Sequence, residues 1–139
     1  MDINGDVLSD KEFLMLFENK TLHHKHFNHI GHIRIAWLYL SNNTIEQAIA
    51  LTCVGINEYA ESLGAKDKFH KTITTALVHI IYKRISSRAV SGLCWHDFIN
   101  RNSDLIDNAL SILYQHFSKE LLFSDLAKHE VVSPDRQNY

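Results

Sequence analysis

His29 and His32 lie three residues apart at the start of a strongly apolar run, His29-Ile30-Gly31-His32-Ile33-Arg34-Ile35-Ala36-Trp37-Leu38-Tyr39-Leu40. On a helix, residues three apart are neighbours and can both touch one ligand. The stripe continues through Ile33, Ala36 and Leu40, so the histidines open a face that turns inward. A second helical stretch repeats the arrangement: His70, Thr74, Leu77 and Ile81 fall on one face, again with histidine first. If both helix starts lie at the same end of a bundle, His29, His32 and His70 converge. Glu18, at the end of a first helix antiparallel to the second, would join them.

Three imidazoles and a carboxylate suit a divalent metal such as zinc or iron. With three protein ligands and an open position the site would be catalytic; with four it would be structural. The expected metal set is therefore Glu18, His29, His32 and His70, acting on a small molecule by hydrolytic or oxidative chemistry. A metal-free site is the alternative, with His70 as general base and Thr74, Arg34 or Tyr39 positioning a small anionic ligand. His70 and Thr74 are thus the candidate catalytic pair. Against both stands a non-enzymatic ligand-binding or interaction module, in which core-facing histidines are hydrogen-bonded structural residues. Arg34 reads as an interhelical or surface salt bridge, and Trp37 and Tyr39 as packing residues. His23, His24 and His26 fall in a polar connector and read as solvated.

The elements that must carry these residues are helical. Ser9-Asp10-Lys11-Glu12 and Thr44-Ile45-Glu46-Gln47 match capping boxes. The first helix runs to about Asn19, with Phe13, Leu14, Leu16 and Phe17 as its apolar residues. Asn28 caps a second helix over 29–40, which Asn42-Asn43 break. The third helix follows the Thr44 box to about Leu63 and stops at Gly64. Its stripe is Ile45, Ala48, Ile49, Thr52, Ile56, Tyr59, Ala60 and Leu63. The fourth runs over 69–85 and is followed by a loop over 86–92. A short helix over 95–101 precedes one from Ser103 or Asp104 to about Phe117, and a last one starts after Ser124. The expectation is one all-α domain over 1–139, a bundle of about four to six helices with loose termini at 1–8 and 132–139.

Composition narrows the function classes. Among 139 residues, 45% are hydrophobic and 22% charged, ordinary values for a globular domain. The net charge of −2 gives no electrostatic footprint for nucleic acid or acidic membranes. No apolar run approaches the roughly 20 residues that span a bilayer. The acidic start MDINGDVLSD does not read as a signal peptide. Cys53 and Cys94 form no CxxC pattern and read as free, buried thiols, so a cytoplasmic setting is expected. An apolar helix face could support a homodimer, though no specific seam stands out.

Several motifs occur in a fixed order. They are Phe17-Glu18-Asn19, His29-x-x-His32-x-Arg34-x-Ala36-Trp37-Leu38-Tyr39-Leu40, Phe69-His70-x-Thr72-x-Thr74, and Phe98-Ile99-x-x-Asn102-x-Asp104-Leu105. Ser124 and Val132-Ser133-Pro134-Asp135 follow. The set resembles a family of small bacterial all-helical proteins of unassigned function and spans the chain from about Phe13 to Asp135. The resemblance implies that Glu18, His29, His32, His70 and Thr74 belong to one shared pattern, and that His23, His24 and His26 do not. It supplies no reaction. The chain departs from the pattern after Pro134-Asp135, where a proline-rich finish is expected.

Overall fold

The computed structural model describes residues 8–87 and 92–139, and every regular element in them is helical. Among the described residues nine α-helices follow one another: α1 Asp10–Glu18, α2 His29–Asn42, α3 Ile45–Ser62, α4 Lys71–Ser86, α5 Trp95–Arg101, α6 Asp104–Asp107, α7 Ala109–His116, α8 Lys119–Leu122 and α9 Asp125–His129. Two 3-10 turns, His24–His26 and Lys66–Lys68, precede α2 and α4. The expected all-α architecture is present, with more and shorter helices than four to six. Most of the expected loose N-terminus, and residues 88–91 of the expected loop, lie outside the described residues.

Local chemistry sets the starts of the long helices. Ser9 accepts the Glu12 amide while the Glu12 carboxylate accepts the Ser9 amide; Thr44 and Gln47 do the same for α3. The Asn28 side chain accepts the Gly31 amide at 2.9 Å. Gly64 follows α3 with φ +73°, the left-handed conformation that ends helices at glycine.

α2 is buried nearly all round: Ile33 and Ile35 through Tyr39 all lie in the core. A helix apolar on every side belongs at the centre. α3 and α4 pack against it and against each other, α1 lies on α2 and α3, and α9 covers α4. The single stripe read from the sequence for this helix is therefore too narrow.

Two close approaches fix the first third of the chain. A Cβ on Gly31 would stand 1.9 Å from the His26 carbonyl oxygen, so the 3-10 turn rests directly on α2. The Phe17 ring lies over Gly55 and stacks on Tyr59, whose hydroxyl donates to the Leu22 carbonyl.

The helix expected from Asp104 to Phe117 is broken. The Asn108 amide closes α6 on Asp104, and Asn108 at φ −134°, ψ 32° turns the chain before α7 begins. The tail over 131–139 is extended but fastened. His116 Nδ1–H donates to the Gln137 carbonyl at 2.7 Å, the Arg136 amide donates to the His116 carbonyl, and the Tyr139 ring stacks on His79. Cys53 is buried as expected, whereas Cys94 is exposed just ahead of α5. No helix among the described residues is long and apolar enough to cross a membrane.

Candidate functional site

The first turns of α2, the middle of α3, the start of α4 and the α6–α7 corner enclose a cavity of about 550 Å³. That volume is ordinary for a small-molecule site, roughly 300–1,000 Å³. His29, His32, His70 and Thr74, the residues singled out on two inward faces, all line it. Ala36, Thr52, Ile56, Leu77 and Leu113 are its buried wall; Lys68, Asp107, Asn108 and Ser111 are exposed at its rim.

The three histidines stand in different chemical states. His70 is not inside α4 but is its N-cap. Its Nδ1 accepts the Ile73 amide at 3.1 Å, and its Nε2–H donates to the Leu122 carbonyl at 2.8 Å. Both ring nitrogens are used, and the pair fixes the Nε2–H tautomer. Burial holds its ring below the ordinary histidine range. The lone pair a general base or metal ligand needs is already engaged with the helix. Thr74 is satisfied as well, its hydroxyl donating to the His70 carbonyl at 2.9 Å. His29 donates through Nε2–H to the Leu105 carbonyl at 2.7 Å, tying α2 to α6.

His32 differs. Its Nε2 is shut off from solvent and has no hydrogen-bond partner, and the ring meets Phe27 edge-on at 4.4 Å. Burial, helped by the neighbouring His29, lowers its pKa to about 4, so the ring is neutral at pH 7. Across the cavity wall, Thr52 is 1% exposed, and its hydroxyl is likewise without a partner. Of the three buried side-chain polar atoms without partners among the described residues, two belong to residues that line this cavity, His32 and Thr52; the third is Nε of Arg34.

Glu18 is elsewhere. Its carboxylate accepts the Tyr39 hydroxyl at 2.7 Å, beyond the cavity lining. Tyr39 follows His29 by ten residues, or about 15 Å along the helix axis at 1.5 Å per residue. Phe17, in the last turn of α1, does stack on Phe27 just ahead of α2, with ring centroids 6.4 Å apart, but the Glu18 side chain reaches Tyr39 further along the helix instead. The set of Glu18, His29, His32 and His70 is thus not brought together. Among the described residues no three His, Cys, Asp or Glu side chains form a group that could hold a metal ion.

Arg34 is also apart from the cavity. It donates to the Leu8 carbonyl and to Asp10, both at 2.8 Å, with its guanidinium over the Phe13 ring, and so serves as the interhelical salt bridge expected of it. Two parts of the site went unread in the sequence. Thr52 was visible only as a hydroxyl on an otherwise apolar stripe, and the α6–α7 corner offers no local signal at all.

No family model matches the chain, and no curated protein or solved structure matches it.

Proposed function

We propose that this protein binds a small molecule in the cavity between α2, α3, α4 and the α6–α7 corner, and that binding rather than catalysis is its work. The observation that carries the reading is the pair of unpartnered buried polar atoms, His32 Nε2 and Thr52 Oγ1, on two residues that line one cavity of about 550 Å³. A buried polar atom without a partner costs about 1–3 kcal/mol, and native proteins leave few of them. Two on one cavity wall are accounted for if a ligand supplies the missing bonds. Of the other polar side chains in the site, His70 is spent on the backbone at both ring nitrogens, and His29 Nε2–H and the Thr74 hydroxyl each donate to a carbonyl. They hold the walls, and His32 and Thr52 supply the buried polar atoms that have no partner.

A fragment screen read by two-dimensional NMR of the labelled protein tests the proposal. Binders should shift resonances of His32, Thr52, Ile73 and Leu113 together. A screen whose hits leave those four unmoved, and fall instead on other surfaces, overturns it.

A further inference from the structure

Resting on that reading, we infer that the cavity selects an uncharged ligand, a compact hydrocarbon body carrying one group that both donates and accepts hydrogen bonds, with His32 as the residue that sets this preference. Both vacant partners are amphoteric. A neutral imidazole offers Nε2 as donor in one tautomer and as acceptor in the other, and a threonine hydroxyl does either. A carboxamide or an alcohol satisfies such a pair without moving a charge. The rest of the inner wall is Ala36, Ile56, Leu77 and Leu113, which suits hydrocarbon.

A charged head has no counterpart on that inner wall. The ionisable groups facing the cavity are His29 and His32 on α2, Lys68 and His70 before α4, and Asp107 at the end of α6; α3 and α7 contribute none. His70 is committed at both nitrogens, and His29 holds a carbonyl through Nε2. Lys68 and Asp107 are exposed at the rim. No carboxylate among the described residues stands within ion-pair distance of His32. An anionic head would have to be desolvated beside a ring that lacks a charge of its own, an expensive arrangement without a fixed partner. The depressed pKa of His32 agrees with this, since the surroundings already disfavour its cation.

The test uses three probes that share one body: cyclohexanecarboxamide, cyclohexylmethanol and cyclohexanecarboxylate. Each is titrated at pH 7 into the whole chain, with the imidazole nitrogens of His32 and the neighbouring amides read by NMR. The carboxamide and the alcohol should each bind at least about tenfold more tightly than the carboxylate, while the His32 ring stays neutral. His32→Phe should erase most of the difference between the three. Carboxylate binding as tight as the carboxamide, with His32 turning to imidazolium, overturns the preference and leaves the cavity as the binding site. If none of the three probes moves the cavity resonances, the inference falls. A fragment screen that also misses the cavity takes the proposed function with it.

Discussion

The Nε2–H of His70 donates to the carbonyl oxygen of Leu122 at 2.8 Å, across 52 residues of chain. The same ring caps α4 by accepting the Ile73 amide. One side chain therefore fixes both the start of a core helix and its distance from α8, and it forms one wall of the cavity in doing so. His70→Ala removes both bonds, and a loss of about 2 kcal/mol is expected. His70→Asn keeps a capping oxygen but is too short to reach Leu122, so it should recover roughly half of that loss. Urea denaturation at pH 7.5 measures all three proteins. An Asn variant no more stable than the Ala variant would show that the cap contributes nothing.

Gly31→Ala separates close packing from helix propensity. Inside a helix, alanine is favoured over glycine by about 1 kcal/mol. At Gly31 the new Cβ would meet the backbone carbonyl of His26 at 1.9 Å, and a backbone atom cannot swing aside as a side chain would. The 3-10 turn would have to lift off α2, at a cost on the order of 1–3 kcal/mol net. The denaturation midpoint should fall, and the Phe27–His32 ring contact should loosen with it. A midpoint that rises instead would mean that the turn is not seated on α2.

How far the sequence reached follows from the range of each interaction. The Ser9 and Thr44 boxes, the Asn28 cap and the Gly64 stop act within four residues and were all readable. That His29, His32 and His70 line one cavity was readable because two inward faces each opened on histidine. Their chemical states were not. His70 has a cap's spacing to Ile73, but its second bond goes to Leu122, and nothing near position 70 names that partner. Glu18 is exposed at the end of α1 and meets Tyr39, twenty-one residues on, a partner that nothing near position 18 names. The break at Asn108 was hidden because Leu105, Ala109, Leu113 and Phe117 keep a helical spacing across it.

The buried ring of His32 makes a pH prediction. Its pKa in the folded chain, about 4, lies below the 6.5 of an exposed histidine. Between those values the unfolded chain holds more protons than the folded one, so stability rises with pH there. The contribution is present in full above about pH 6.5 and is lost as the pH falls toward 4. At roughly 1.4 kcal/mol per pH unit, the full loss is on the order of 3 kcal/mol. His70 and His79 are also held down by burial and act in the same direction. His32 is therefore isolated by the difference between the native chain and His32→Leu, measured by denaturant unfolding at pH 7.5 and pH 5.0. The variant should lose less stability between the two pH values. Parallel losses would place the titration elsewhere.

Thr52→Val gives the opposite sign from most core substitutions. Valine fills nearly the same volume as threonine and removes a hydroxyl that is buried and without a partner. In the free protein the change deletes a desolvated group and should stabilise by about 1 kcal/mol. With a ligand in the cavity the same hydroxyl is a partner, and its loss should weaken the binding of cyclohexanecarboxamide about three- to tenfold. Stability and affinity then move in opposite directions, the trade expected where a site keeps an unsatisfied group for its ligand. A melting curve and one NMR titration per variant suffice. If Thr52→Val is less stable than the native chain, the hydroxyl already has a partner, water or protein, and half of the recognition pair is lost. If it is more stable but binds the carboxamide unchanged, the hydroxyl is unpaired in the bound state too, and His32 alone carries the recognition.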